Sequence, residues 1–156
     1  MTPPSIETLQ QMPVFGGLSE LTLGTLMTHA PALPRAPGQA FFRQGEDGDS
    51  LFVLLHGRAL AVWETDTLCY VLRSIAVGDS YGEAAHIDLQ PRSYTAVAQS
   101  PCIALEIGPD TMHRVWQQDL EQMTLLHMNI GREMSRRLRD SDAERVEHWV
   151  RISAGQ

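Results

Sequence analysis

The spacing of apolar residues changes character twice along the chain. Between residues 5 and 30, Leu18, Leu21, Leu23, Leu26 and Met27 recur at helical intervals, which predicts a short helix with Ser19 as its polar start. Pro31, Pro34 and Pro37 then end helical structure, since each lacks an amide donor and biases its predecessor away from helix. From residue 38 to 107 the apolar residues fall in short runs: 39–42, 51–56, 58–62, 69–75, 94–98 and 102–107 read as strands. Gly45, Gly48, Gly57, Gly78 and the Ser100-Pro101 pair separate them, and turn geometry accounts for the glycines. Many short strands at this spacing predict an all-β sandwich or barrel rather than alternating β-α units. After Pro109 the helical period returns, with one helix over 111–118 and a long one from 120 to about 149.

That long helix carries a seam at alternating threes and fours: Leu120, Met123, His127, Ile130, Met134, Leu138, Ser141, Arg145 and His148. It is apolar for its first half and polar for its second. A helix of ~30 residues spans ~45 Å, longer than a small barrel needs as a lid. The expectation is a homodimer formed through the C-terminal helix, with simple packing on the chain's own barrel as the alternative. Trp149, near its end, is a candidate contact.

Composition narrows the class. At 156 residues, with 43% hydrophobic and 20% charged residues, the chain suits a single domain over 1–156, the roll at about 38–107 and the C-terminal helices at about 111–149. No run approaches the ~20 apolar residues of a membrane helix, and the first ten residues do not read as a secretion signal. Cys69 and Cys102 are too few for a disulfide framework, so a cytoplasmic location is expected. Net charge is −7 and all 12 basic residues are arginine. Six of them lie beyond residue 131, interleaved with Glu133, Asp140, Asp142, Glu144 and Glu147 as on a solvated helix face. A surface of this balance repels polyanions, which argues against direct nucleic-acid binding.

The chemistry concentrates in residues 77–98. Gly82, Glu83, Ala84 and Ala85 follow a turn and can open a short helical turn with outward amides, an arrangement that attracts an anion. Nine residues after Glu83 comes Arg92, fixed by Pro91, whose guanidinium can hold a phosphate through two parallel hydrogen bonds. Glu83 is then free to accept a hydroxyl, such as that of a ribose. The alternative for this pair alone is a surface ion pair.

Residues 43–59, RQGEDGDSLFVLLHGRA, resemble the glycine-punctuated strand pair of cyclic nucleotide-binding domains. Tyr81-Gly82-Glu83-Ala84-Ala85, a five-residue gap, then Pro91-Arg92-Ser93 resembles that family's phosphate-binding cassette. The resemblance extends from about Phe15 to the long helix, and to sensor domains like that of the catabolite activator protein. It implies a mainly β fold with flanking helices: a jelly roll (double-stranded β-helix) with a short N-terminal and a long C-terminal helix. It further implies that Glu83 accepts the ribose 2′-hydroxyl and Arg92 pairs with the cyclic phosphate. Amides near Gly82 to Ala85, the Ser93 hydroxyl or amide and the Tyr94 amide would complete the cradle. Ser141 and Asp142 would fall where the long helix meets the base; polar positions on a solvated or dimeric face are the alternative.

Two departures shape the expected function. The family usually has a small residue where this chain has Tyr94; strand alternation puts Tyr94 on the same face as Arg92, unless a bulge intervenes. Only seven residues follow Trp149, where transcription factors of the family add a helix-turn-helix domain. The resulting expectation is a non-enzymatic regulatory sensor that binds a 3′,5′-cyclic nucleotide, cAMP rather than cGMP, needs no cofactor, and signals through a partner protein of unknown identity. The alternative is a scaffold or interaction protein whose pocket Tyr94 fills. His29, His56, His86, His113, His127 and His148 are scattered, so no metal site is expected, and a cupin-like metalloenzyme finds no His–carboxylate cluster. Cys69 and Cys102 read as small core residues.

Overall fold

The computed structural model describes residues 4–155. Residues 1–3 and 156, which the single-domain expectation includes, lie outside the described part. The chain opens with α1 (Ile6–Gln10), a 3-10 turn (Pro13–Phe15) and α2 (Glu20–His29). Ser19 caps α2, its hydroxyl accepting from the Thr22 amide at 3.2 Å. The roll follows as β1 (Ala32–Arg35), β2 (Ala40–Phe42), β3 (Leu51–His56), β4 (Ala59–Glu64), β5 (Cys69–Ile75), β6 (Ser80–Tyr81), α3 (Glu83–Asp88), β7 (Thr95–Ala98) and β8 (Cys102–Ile107). Helices α4 (Pro109–Gln118) and α5 (Leu120–Ser153) close the chain.

The strands form two four-stranded antiparallel sheets, ordered β1-β8-β3-β6 and β2-β7-β4-β5. Alternation along β3 explains why its run is apolar throughout. Leu51 and Val53 join the cluster made with α1, α2, α4 and α5, while Phe52 and Leu54 face the interior of the roll. Strand β8 divides in the same way, Leu105 and Ile107 toward the helices and Cys102 and Ala104 toward the roll. The first sheet thus serves two cores at once.

Several boundaries differ from expectation for physical reasons. The proline-rich stretch after α2 forms β1, with Pro34 opposite Ile103; β1 is an edge strand, where a missing donor costs little. Pro109 starts α4 at its first turn, where its lack of an amide is harmless. Cys69 is exposed rather than a core residue, because β5 is the outer strand of its sheet; Cys102 is buried. On α5, Ile130 is buried and Met123 and Met134 pack on the chain's own helical core. From Met123 to Met134 the apolar positions of the predicted seam are therefore satisfied within one chain, while Leu120 at its start is exposed. Leu138, Val146, Trp149, Val150 and Ile152 remain exposed.

The two halves of α5 should respond differently to truncation. Leu126→Ala removes a fully buried side chain and is expected to cost about 2–5 kcal/mol in urea unfolding. Leu138→Ala, at a position 61% exposed, should stay within about 0.5 kcal/mol unless a second copy covers it.

Candidate functional site

The site forms where the β2–β3 turn, α3 and the segment before β7 meet. Backbone bonds place Arg92 first: its amide donates to Glu46 O and its carbonyl accepts from the Gly45 amide, both at 2.8 Å. Gly45 makes this turn with φ +83°, a left-handed conformation that favours glycine. Gly48 serves a different need. A Cβ there would lie 2.5 Å from Arg92 Nε and 2.6 Å from Nη2, so the guanidinium occupies space that only glycine leaves.

Arg92 is 5% exposed. Its Nη1 donates to the carbonyls of Ser50 and Gly82, each at 2.7 Å, and its Nη2 donates to Ser50 Oγ at 3.2 Å. The cation sits 4.4 Å from the Phe42 ring centroid and 5.5 Å from that of Phe52, a cation–π arrangement. Among the described residues no carboxylate pairs with it, and its Nε is buried with no hydrogen-bond partner. The Ser50 hydroxyl donates onward to Glu106 at 2.7 Å, so the nearest hydrogen-bonded countercharge is one residue removed. Burial accordingly lowers the Arg92 pKa below its ordinary value, opposed by the fields of Tyr94, Glu106, Asp49 and Glu46.

Gly82 caps α3 with φ +75°. A Cβ there would meet Arg92 Nη1 at 2.7 Å and the Phe42 ring at 2.9 Å. Glu83 begins the helix and is 3% exposed. Its Oε1 accepts from Ser80 Oγ at 3.1 Å and from Arg137 of α5, which also donates to Ser80 Oγ at 3.1 Å. Ala84 is half-buried and Ala85 buried, while Ser93 is exposed. A cavity of about 240 Å³ opens beside Glu83, lined by Arg73, Ser80, Glu133, Arg136, Arg137 and Asp140 among others.

Tyr94 turns inward with Arg92. Its ring packs on Phe42 at 5.4 Å between centroids and adjoins the cluster formed by Phe41, Phe52 and Tyr81. Its hydroxyl accepts from the Gly82 amide at 3.0 Å, so this amide already has a partner. The Tyr94 segment precedes β7, and its ring packs against the interior cluster of the roll rather than standing out in solvent.

The structure thus brings Gly82, Glu83, Ala85, Arg92 and Tyr94 together around one end of the roll. Ser141 is half-buried on α5, and Asp142 is exposed and pairs with Arg145 of the same helix at 3.7 Å. Sequence reasoning missed Ser50, Ser80 and Arg137. Arg137 is 54 residues from Glu83, and only the course of α5 across the roll joins them.

Burial raises the Tyr94 pKa above its ordinary 10.0, with Arg73 acting in the opposite direction. The folded chain therefore keeps a proton that the unfolded chain releases, and stability held at neutral pH is lost as pH climbs past about 10. Tyr81, shifted the same way by burial, adds to the slope. Urea midpoints measured from about pH 9 to about pH 11 should fall steadily, and less steeply for Tyr94→Phe.

Comparison with known proteins converges on one group. The family model described as "Cyclic nucleotide-binding domain" matches residues 34–119. The cGMP-dependent protein kinase of Eimeria tenella is 37% identical over 79 residues, which is 51% of this chain and 8% of the kinase. The chain thus spans a small fraction of the curated relatives it matches. A cyclic nucleotide-binding domain from Methylobacillus flagellatus superimposes with TM-score 0.80 at 18% identity, covering 92% of this chain and 81% of that one. The regulatory domain of Toxoplasma gondii PKA with cAMP gives TM-score 0.61 at 27% identity, covering 69% and 41% of the two chains. With more than half its length matched by the family model and its sheets and long helix in the matching fold, the chain belongs to the cyclic nucleotide-binding domain family.

Proposed function

We propose that this domain is a regulatory module that takes a 3′,5′-cyclic nucleotide, cAMP in preference to cGMP, and passes the change to a partner protein rather than performing catalysis itself. The observation that carries this reading is Arg92. A guanidinium 5% exposed that has, among the described residues, no carboxylate partner and a buried unpaired Nε is a cation prepared for an anion. A cyclic phosphate would neutralise it where the protein supplies only carbonyls and a hydroxyl. Glu83 would turn from Arg137 to the ribose hydroxyl, and this exchange links ligand to α5. The amides of Ala84, Ala85, Ser93 and Tyr94 would complete the cradle, with Ser141 and Asp142 toward the base. The exposed apolar residues of distal α5 suit a homodimer, and two unpaired cysteines suit the cytoplasm.

Tyr94 supports a second reading. Its hydroxyl holds the Gly82 amide and its ring packs against the aromatic interior, as in a scaffold whose pocket its own side chain fills. If the filled form dominates, the apparent affinity is the intrinsic affinity multiplied by the fraction of molecules with Tyr94 displaced.

Titration calorimetry with cAMP and with cGMP tests both readings. Native chain should bind cAMP more tightly than cGMP, and Arg92→Ala should weaken it about 10- to 100-fold. Tyr94→Ala should tighten binding. No heat from the native chain together with clear binding by Tyr94→Ala establishes the filled-pocket reading. Equal affinity for the native and Arg92→Ala proteins defeats the sensor assignment.

A further inference from the structure

Two histidines that the sequence leaves 41 positions apart meet across the boundary between α3 and α5. The His86 and His127 rings lie with centroids 5.8 Å apart and planes inclined by 29°. Both side chains are half-buried. His86 Nδ1 lies 2.9 Å from Asp49 O, and His127 Nδ1 lies 3.0 Å from Met123 O. A carbonyl oxygen only accepts, so each Nδ1 carries the hydrogen. In the neutral ring this leaves the lone pair on Nε2. Neither Nε2 has a hydrogen-bond partner among the described residues.

This is the arrangement that orients an imidazole as a metal ligand: one nitrogen held by a backbone carbonyl, the other left as donor. Two rings bound to one ion through bonds of about 2.0–2.1 Å have centroids about 5–6 Å apart, which matches the observed spacing. No group of three or more His, Cys, Asp or Glu side chains suited to a metal occurs among the described residues, so water would complete the coordination. A net charge of −7 favours a cation over the whole surface.

We propose that His86 and His127 form a two-imidazole site for a first-row divalent ion of the zinc and copper class, which clamps the cassette helix to α5. Imidazole donors select such ions over magnesium or calcium. With two protein ligands the ion is exchangeable, so it acts as a modulator rather than as part of the fold. The clamp joins the same two elements as the Arg137–Glu83 bond, but at a separate pair of residues. It does not depend on whether the cassette takes a nucleotide.

The test uses the full chain, freed of metal with chelator, in a Cys69→Ser background that removes the exposed thiol as a competing donor. Zinc added to about 100 times its dissociation constant should raise the melting temperature by about 5–10 °C. His86→Ala and His127→Ala should each abolish that rise, while His148→Ala, at an exposed position on α5, should retain it. Copper(II) supplies a readout that needs no variant: its electron paramagnetic resonance spectrum should show two equatorial imidazole nitrogens at a 1:1 ratio. Fewer than two nitrogens, no zinc-dependent rise in the starting protein, or an undiminished rise in either His86→Ala or His127→Ala overturns the proposal.

Discussion

The site is organised around a positive charge held out of water without a directly bonded negative one among the described residues. Arg92 is accommodated by two carbonyls, a hydroxyl and two aromatic faces, each contributing partial charge rather than neutralisation. Burying a cation this way is costly unless every available acceptor is aligned with it. That requirement reaches well beyond Arg92. It fixes the left-handed turn at Gly45, excludes a side chain at Gly48 and Gly82, directs the Gly82 carbonyl inward and ties Ser50 to Glu106. The glycines that punctuate the roll are thus of two kinds. Gly45 is required by its own backbone angle, while Gly48 is required by the size of a neighbour.

Much of the architecture is legible in the sequence because strand and helix periods are local properties. The alternation of β3 and β8 is visible as apolar runs, and the Gly-Glu and Pro-Arg pairs of the cassette stand out at short range. What the sequence hides depends on contacts made across the fold. Pro34 reads as a stop signal, but an edge strand has no use for its missing amide. The α5 seam reads as a surface for a second chain, yet Met123, Ile130 and Met134 find the domain's own helices first. Arg137 and Ser50 enter the site by tertiary approach, and no spacing rule predicts them. Tyr94 is intermediate: strand alternation puts it on the Arg92 face, but its bond to Gly82 needs the structure.

The segment from Gly82 to Tyr94 satisfies itself. Tyr94 occupies the Gly82 amide, Arg137 occupies Glu83, and Arg92 rests on carbonyls, so three groups expected to meet a nucleotide each have an internal partner. Such internal partners set the free-energy difference a ligand must exceed before it shifts the population. A ligand that met all three would gain contacts but also release three, and only the difference would move α5. Arg92 is incompletely satisfied, since its Nε is buried without a hydrogen-bond partner among the described residues.

Helix α5 has a mechanical meaning of its own. Arg137 grips Glu83 near the middle of its 34 residues, and about 24 Å of helix extends past that point with little of it covered. A rod pinned there works as a lever. Tilting it by about 5° at the pin sweeps the Ser153 end through about 2 Å, so a displacement too small to disturb packing beside the roll becomes a shift the size of a side-chain contact at the tip.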